Sequence, residues 1–341
     1  MRRAFAVLVA VLAAVAVAVT AAPLLTSDAW WIRMWEFPRL HVLVAAIAIA
    51  LLGVVTLRGP VRLAALATMV AVAVWQGQWV WPYAPWAAAD VALRPAGDDA
   101  PALAIALNVR MDNADHARIR DYLVARDPDL LLLMETDAAW AAALASVLDR
   151  YHTRVERIAD DHYGMILVTR LPTRTARIGT LPGDETPIAL AELDGPGGRF
   201  LFAGLHPRPP VPGTATRDRD DQMAAAAGLA RAHPIPALAM GDFNDVGWSR
   251  AAQRFRDVGG YLDPRIGRGL MPSFDAESWL LRFPIDQGLV TDGIVLHDFA
   301  LGPHVGSDHF PIEMTFSIAA GATPARAPSG RDAEQVATRS R

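Results

Sequence analysis

The sequence predicts an α/β domain that follows a set of N-terminal membrane helices. Three apolar stretches of nearly membrane-spanning length precede residue 90, and they raise the mean hydropathy to +0.22 and the apolar content to 52%. Beyond residue 100, short apolar runs of strand length alternate with segments of helical periodicity. At 341 residues the chain exceeds the usual length of one domain, so we expect more than one structural unit.

The three apolar stretches are predicted to form transmembrane helices at about 4–25, 40–57 and 61–81. Each has roughly the 20 residues that a helix needs to cross the hydrocarbon core of a bilayer. A cleaved signal peptide is the alternative for the first stretch, with small residues at 20–22 as the cleavage site. We favour a retained helix because the apolar region is long for a signal peptide.

The charged and aromatic residues around these stretches predict an orientation in the membrane. Arg58 and Arg62 flank the short link between the second and third stretches, and with Arg2 and Arg3 they mark the cytoplasmic side. The tryptophans that suit the opposite interface are Trp30, Trp31, Trp35, Trp75, Trp79, Trp81 and Trp86. The chain is therefore predicted to be a multi-pass membrane protein whose large domain lies on the extracytoplasmic side, periplasmic or extracellular.

The composition divides the chain into four parts. Residues 1–86 form the predicted membrane anchor, 87–100 a linker, 101–318 one sizeable folded domain, and 319–341 a disordered tail. The chain has no cysteine, which excludes disulfides and thiolate metal sites. A net charge of -4 argues against a broad basic surface for non-specific binding of duplex nucleic acid.

The large domain begins with a predicted strand at 102–108, followed by a helix that Pro128 ends. Further apolar runs predict strands at 130–134 and 164–172, and turn residues predict a hairpin around 195–198. A helix at about 215–232 is predicted to lead to a strand at 237–240, which the GDFN stretch follows. Two final strands are predicted to begin at Asp286 and near Asp308. Polar residues adjoin these strands at their ends.

The strand-end residues are rich in oxygen and nitrogen donors: Asn108, Glu135, His206, Asp242, Asn244, Asp308 and His309. Unpaired carboxylates are costly to bury, so acids at strand ends usually reach water, an arginine or a metal. If the strands share one sheet edge, these side chains converge on one pocket. Such a donor set suits Mg²⁺ or Mn²⁺ and fits hydrolysis of a phosphate ester.

At these residues the chain resembles the endonuclease/exonuclease/phosphatase superfamily of DNase I-like enzymes. The matching stretches stand in the family's order and span about 101–318: Asn108-Val109, Glu135, 164–167 (GMIL), His206, 241–244 (GDFN), Asp286 and 307–311 (SDHFP). The pair GDFN and SDHFP is the specific part of the resemblance. The resemblance implies a four-layered α/β sandwich in which two mixed β-sheets pack face to face with helices outside.

The resemblance also implies the metal ligands. Glu135 would be the principal ligand of Mg²⁺, or of Mn²⁺, with Asn108 and Asp308 nearby. A surface acid or a turn residue is the alternative at each of the two acidic positions.

The remaining roles implied by the resemblance are catalytic. His309, oriented by Asp286, would act as a general base or bind the scissile phosphate. Asp242 would position or deprotonate the attacking water, and Asn244 would stabilise the transition state. His206 matches the histidine that some members use to protonate the leaving oxygen.

The chain departs from the family pattern at several positions. Arg110 stands where family nucleases often carry an acid two residues after the first Asn. Arg208 and Arg217 are candidates to face the phosphate, with an ordinary surface position as the alternative for Arg208. His162 is expected at the surface, although its place beside the 164–172 strand makes it a candidate to line the cleft.

Two functional hypotheses follow. The first is a membrane-tethered, divalent-metal-dependent phosphodiesterase or phosphomonoesterase that acts on nucleic acid or on a lipid head group. The second is a non-catalytic binding or scaffold domain on the same fold, although such a domain would be expected to lose Glu135, Asp242 or His309. No charged residue lies at the centre of the apolar stretches, which disfavours a transporter.

Overall fold

The computed structural model describes residues 2–97, 100–213 and 215–321. The predicted tail therefore lies largely outside the described residues, as do two residues of the predicted linker. The N-terminal part contains the helices α1 (Arg2–Ala21), α2 (Trp30–Arg33), α3 (Arg39–Thr56) and α4 (Gly59–Val80).

Three of these helices have the length and composition to cross a membrane. The candidate spans are Arg3–Leu24, Arg39–Thr56 and Gly59–Tyr83, with mean hydropathies of 2.7, 2.2 and 1.4. They pack against one another around Ala46 and Met69, which are fully buried. The three spans occupy the positions that the sequence predicts.

The large domain contains five helices and eleven strands within the described residues. The helices are α5 (His116–Arg126), α6 (Ala138–Ala143), α7 (Ala145–Leu148), α8 (Arg217–Ala232) and α9 (Arg250–Gly259). The strands are β1 (Ala102–Asn108), β2 (Leu130–Met134), β3 (Thr153–Arg157), β4 (Met165–Thr169), β5 (Thr173–Leu181), β6 (Asp184–Gly195), β7 (Gly198–Leu205), β8 (Ala237–Asp242), β9 (Asp286–Val290), β10 (Ile294–Leu301) and β11 (Ile312–Ile318).

The strands form two mixed sheets. The first has the order β10-β11-β1-β2-β4-β3, and the second has the order β5-β6-β7-β8-β9. Each sheet contains one parallel pair, β1–β2 in the first and β7–β8 in the second, and the other pairs are antiparallel. The carboxyl ends of the two strands in a parallel pair lie at the same edge of their sheet.

The two sheets pack face to face and carry helices on their outer faces. Fully buried side chains such as Leu132 and Phe316 from the first sheet, with Phe200 and Met240 from the second, fill the space between the sheets. Helices α5, α6 and α7 cover the outer face of the first sheet, and α8 and α9 cover that of the second. This arrangement confirms the four-layered α/β sandwich.

Local sequence explains where helix α5 begins and ends. The Asp115 carboxylate accepts a hydrogen bond from the backbone N–H of Arg118 and caps the N-terminus. Ile119 and Leu123 point into the core. The helix ends at a left-handed residue, Asp127, directly before Pro128, as the sequence predicts.

Gly241 allows β8 to reach the end of the sheet. Its φ of 142° is accessible to glycine and strained for other residues. A Cβ atom at this position would overlap the carbonyl oxygen of Leu205 on the neighbouring strand β7. The glycine therefore fixes the path of the backbone immediately before Asp242.

We expect Gly241→Ala to destabilise the domain by at least about 2 kcal/mol, because both the backbone angle and the packing reject a side chain. For a domain of this size that loss lowers the melting temperature by about 4–8 °C. Thermal unfolding of the full chain in detergent measures the effect.

Gly228→Ala is the matched control. A Cβ atom there has no neighbouring atom within 4 Å, and Gly228 lies inside helix α8, where alanine is favoured by about 0.5–1 kcal/mol. The control should melt at the wild-type temperature or above it. A Gly241→Ala protein as stable as this control would contradict the packing argument.

Candidate active site

The predicted site residues lie at one rim of the sandwich, where the two sheets meet. Asn108 ends β1, and Glu135 follows β2 at the same edge because the two strands are parallel. Asp242 ends β8, and Asp286 faces it at the start of the antiparallel strand β9. His309 precedes β11, which runs antiparallel to β1 and therefore starts at this rim.

The side chain of Asn108 joins the two sheets at this rim. Its amide Nδ2 donates to Glu135 Oε1 at 2.9 Å and to Asp242 Oδ2 at 3.1 Å. Its Oδ1 accepts a hydrogen bond from the backbone N–H of Arg110 at 3.0 Å. One amide therefore holds two carboxylates close together and keeps each of them in place.

A second hydrogen-bonded pair holds the His309 imidazole. His309 Nδ1 lies 2.8 Å from Asp286 Oδ2, and both side chains are buried. His309 Nε2 lies 3.7 Å from Asp242 Oδ2. The ring also packs on Phe274, with 4.7 Å between the centroids. Asp286 thus orients the imidazole so that its second nitrogen faces Asp242.

Asp242 has two further neighbours that the sequence also singles out. Its Oδ1 accepts a hydrogen bond from the backbone N–H of Asn244 at 2.8 Å. His206 Nε2 lies 3.6 Å from its Oδ2, and His206 is 3% exposed. The amide Nδ2 of Asn244 donates to the carbonyl oxygen of Pro207 at 3.0 Å. These contacts place His206 against Asp242, inside the rim.

Asp308 lies nearer to solvent than the other acids of the site. Its Oδ2 is 3.7 Å from Arg110 Nε, and Arg110 also reaches Glu277 at 3.6 Å. The arginine that replaces the expected family acid therefore pairs with carboxylates at the mouth of the site. Asp308 shares this mouth with Glu135.

Several residues of the site adopt left-handed backbone conformations. The φ angles are 58° at Arg110, 60° at Glu135, 64° at His162 and 48° at Asn244. Such conformations cost on the order of 1 kcal/mol each for residues other than glycine, and they concentrate at functional sites. Here the turn at Glu135 directs its carboxylate away from the strand and toward Asn108.

Burial and neighbouring charges separate the protonation states of the central pair. Burial raises the pKa of Asp242 to about 7. Burial alone would lower the pKa of His309, but the carboxylates of Asp286 and Asp242 outweigh it and raise that pKa to about 10. At neutral pH His309 is therefore an imidazolium, and Asp242 is close to its titration point.

The pKa values of His206 and Glu135, by contrast, are both lowered. Burial lowers the pKa of His206 to about 4, so this imidazole is neutral at pH 7. Burial would raise the pKa of Glu135, but the hydrogen bond from Asn108 and further donors outweigh it, and the pKa is lowered. Glu135 is therefore a stable carboxylate in this site.

The site opens into a cavity of about 510 Å³. Glu135, Asp242, Asn244, Asp308 and His309 form its polar end. The rest of the wall is largely apolar and comes from three segments: Met34, Trp35, Phe37 and Pro38; Pro209, Pro210 and Val211; and Phe274, Phe283 and Ile285.

Sequence reasoning missed this apolar wall. It assigned Trp35 to the membrane interface and gave no site role to the other wall residues. The place of residues 34–38 in the cavity depends on contacts with residues more than 100 positions away, such as that between Phe37 and Phe283, for which the local sequence carries no signal.

Two groups of donors are candidates to hold a metal. Asp242, Asp286 and His309 offer buried ligand atoms within 4.8 Å of one another. Asp286 and His309 are hydrogen-bonded to each other within this set. A metal ion bound here would require His309 in its neutral form, because an imidazolium has no free lone pair.

Glu135 and Asp308 also present carboxylates to the cavity. Oxygen donors of this kind fit a hard cation such as Mg²⁺. Asn108 presents its amide nitrogen to Glu135, which gives it a positioning role in this geometry. Its role as a ligand stays a prediction.

The weaker candidates divide into two groups. Arg208 pairs with Asp184 at 2.9 Å, and Arg217 pairs with Asp28 at 3.1 Å; neither is among the described residues that line the cavity. The surface position is therefore the better interpretation of both. His162 is half-exposed, and its Nδ1 lies 3.2 Å from Glu135 Oε2, so it belongs to the edge of the site.

A comparison with family profiles supplies the decisive observation. The profile of the endonuclease/exonuclease/phosphatase family matches residues 105–309, a segment that contains every strand-end residue of the site. The chain belongs to this family. Members of this family are generally metal-dependent hydrolases of phosphoester bonds. A comparison with curated protein sequences found no match.

Solved structures of this family have the same fold. A D. rerio TDP2 structure complexed with single strand DNA product is 19% identical and has a TM-score of 0.53; the match covers 64% of this chain and 100% of that one. The human Nocturnin catalytic domain with bound sulfate anion is 14% identical, with a TM-score of 0.53 and coverages of 64% and 95%. A Bacteroides vulgatus family member is 14% identical, with a TM-score of 0.51 and coverages of 64% and 100%. At these low identities, the similarity shows a shared fold.

The raised pKa of His309 predicts how stability depends on pH. Between about pH 7 and pH 9 the folded protein keeps a proton on His309 that the unfolded chain, with an ordinary histidine pKa near 6.5, has lost. Stability should therefore fall as the pH rises, by about 1 kcal/mol per pH unit. Thermal melts of the full chain in EDTA measure this slope.

His309→Asn should flatten the slope, whereas the same change at the exposed His152 should leave it in place. A wild-type slope that survives in His309→Asn would assign the proton to a different group.

Proposed function

We propose that this protein is a membrane-tethered, divalent-metal-dependent phosphoesterase that hydrolyses a phosphodiester or phosphomonoester by attack of water. The observation that carries the proposal is the meeting of Glu135, Asp242 and His309 at the polar end of one cavity. These residues come from three separate parts of the chain, and each has the chemical state that hydrolysis of a phosphate ester requires.

In this proposal Asp242 receives a proton from the attacking water. A carboxylate with a pKa near 7 is a competent base at neutral pH. The backbone N–H of Asn244 fixes its Oδ1, and its Oδ2 faces His309. His206 is neutral and buried against Asp242, so we assign it a positioning role there. Protonation of the leaving oxygen by His206 stays a prediction.

His309 binds the phosphate in this mechanism. The sequence leaves open whether it acts as a base or as a cationic donor, and its pKa of about 10 favours the donor. With Nδ1 held by Asp286, Nε2–H is available to a phosphoryl oxygen. Asn244, which lines the cavity, stabilises the charge that develops in the transition state.

Water and the phosphate ester are the only reactants that this hydrolysis consumes. The oxygen of water forms a new bond to phosphorus, the ester P–O bond to the leaving alcohol breaks, and the proton removed from water is returned to the leaving oxygen. Glu135 and Asp308 would hold Mg²⁺ or Mn²⁺, which supplies positive charge to the phosphoryl oxygens when bound.

Hydrolysis of bis(p-nitrophenyl) phosphate by the full chain in detergent tests the function. We expect release of p-nitrophenolate with Mg²⁺ or Mn²⁺ and none with EDTA. Glu135→Gln, Asp242→Asn and His309→Asn should each lower kcat by about 10²–10⁴-fold, because each removes a charge that acts in the transition state.

Glu192→Gln is the control, since Glu192 pairs with Arg199 at the start of β7, the end of that strand opposite the one that leads to His206. It should retain the wild-type rate. Full activity in Asp242→Asn and His309→Asn would refute the assignment, and an inert wild type would favour the non-catalytic binding domain.

We also propose that the catalytic domain lies on the extracytoplasmic side of the membrane. The loop between α1 and α3 packs on this domain through Trp248 Nε1, which donates to the carbonyl oxygen of Glu36 at 2.7 Å. The link between α3 and α4 carries Arg58 and lies at the other end of the spans. The basic residues there support a cytoplasmic position for that link.

The absence of cysteine allows a clean test of this topology. Single cysteines at two exposed positions, Asp298→Cys on β10 and Pro60→Cys in the first turn of α4, are treated with a membrane-impermeant maleimide in right-side-out vesicles. We expect labelling of Asp298→Cys alone, and of both after detergent is added. The reverse pattern would place the catalytic domain in the cytoplasm.

A further inference from the structure

The loop between α1 and α3 is an integral part of the catalytic domain. Arg33 pairs with Glu36 at 3.2 Å and with Asp220 of helix α8 at 3.3 Å, and the side chains of Arg33 and Glu36 are 4% and 2% exposed. Glu36 also pairs with Arg250 at 3.5 Å. Removing one partner of a buried ion pair is strongly destabilising. The loop is therefore fixed in its position against the active site.

This fixed loop brings apolar side chains to the cavity at the point where the chain enters the membrane. Met34, Trp35 and Phe37 line the cavity opposite its polar end. Helix α3, a candidate span, begins at Arg39, two residues after Phe37. The apolar wall of the active site is thus continuous with the start of a membrane helix.

A second apolar feature lies beside the same helix end. Trp279, Leu280 and Leu281 are three consecutive residues of the catalytic domain with exposed fractions of 88%, 53% and 59%. The carbonyl oxygen of Leu280 contacts the ring of His41 in the first turn of α3. Exposed Trp and Leu side chains at this level of a span are suited to the interface of a bilayer. They place the cavity mouth next to the lipid head groups.

The charges around the mouth are unsuited to a polynucleotide. Arg110 is paired with Asp308 and Glu277, Arg208 with Asp184, and Arg217 with Asp28. Binding of single-stranded nucleic acid uses a positively charged groove together with aromatic stacking surfaces. The described residues near the mouth supply aromatic surface, but Arg110 is engaged by carboxylates, and Arg282 is engaged by backbone carbonyl oxygens and packs over the ring of Phe310.

We propose that the substrate is a phosphate ester of a lipid in the bilayer that holds the anchor. The proposal rests on the phosphoesterase function. The phosphate lies at the polar end of the cavity against His309 and Asn244. The adjoining apolar chain lies along Met34, Trp35 and Phe37 and leaves the cavity toward the membrane beside Trp279.

Two reporter esters that differ in one group test the proposal: methyl p-nitrophenyl phosphate and hexadecyl p-nitrophenyl phosphate. Both release p-nitrophenolate from the same scissile bond. The full chain is assayed in dodecyl maltoside micelles, which contain no phosphate ester, with Mg²⁺ or Mn²⁺. We expect kcat/KM for the hexadecyl ester to exceed that for the methyl ester by about 100-fold or more, as the apolar wall contributes several methylene contacts.

Variants of the wall separate recognition in the pocket from partition into the micelle. Trp35→Ser should lower the ratio of the two kcat/KM values by about tenfold or more. Trp86→Ser is the matched control, because Trp86 is 73% exposed and packs on Trp81 away from the cavity; it should keep the wild-type ratio. Met34→Ser, at a position already 39% exposed, provides a milder variant should Trp35→Ser fail to fold.

The possible outcomes distinguish the two proposals. Equal kcat/KM values for both esters in the wild type would overturn the lipid substrate and leave the phosphoesterase in place. Cleavage of a single-stranded DNA oligonucleotide with a higher kcat/KM than that of the hexadecyl ester would also overturn the lipid substrate and leave the phosphoesterase in place. A ratio unchanged in Trp35→Ser and Met34→Ser would overturn the role of the wall. Release from neither ester would overturn the phosphoesterase function itself.

Discussion

The candidate active site depends on one amide group that joins two β-sheets. Asn108 ends a strand of the first sheet, and its Nδ2 donates both to Glu135 of that sheet and to Asp242 of the second. The shared donor offsets the repulsion between the two acids, since like charges repel and buried carboxylates need hydrogen bonds. The packing of the two sheets sets the distance between the carboxylates. The fold and the site are therefore stabilised by the same contact.

The charge states of the site residues depend on the groups that lie on the two sides of the Asn108 amide. Toward solvent, Glu135 is a hydrogen-bonded carboxylate with a lowered pKa, suited to a hard cation. Toward the interior, Asp242 and Asp286 surround His309 and keep its imidazole protonated. Four carboxylates, those of Glu135, Asp242, Asp286 and Asp308, supply the negative charge that an imidazolium and a bound cation would each need in this site. The left-handed backbone at Glu135 is the strain that this arrangement requires.

The segment that links the candidate spans takes part in the architecture of the site. The loop between α1 and α3 is held by buried ion pairs of Arg33 and Glu36, and it supplies one wall of the cavity. The match to similar solved structures covers about 64% of the chain. Of the three segments that form the apolar wall, only residues 34–38 lie outside the segment 105–309 that matches the family profile. Substrate choice is a property that such an additional segment can alter.

The sequence by itself determined the α/β class, the three candidate spans and the acids at the strand ends, because each is a local pattern. An apolar run that ends at Glu135 or Asp242 can be recognised from its own residues, without knowledge of their partners in the folded chain. A membrane span likewise depends on the composition of about 20 neighbouring residues. Only the tertiary structure decided that Trp35 and Phe37 line the active site, because their partners lie more than 100 residues away. It also decided the protonation of His309, because a pKa depends on burial and on charges brought near by folding.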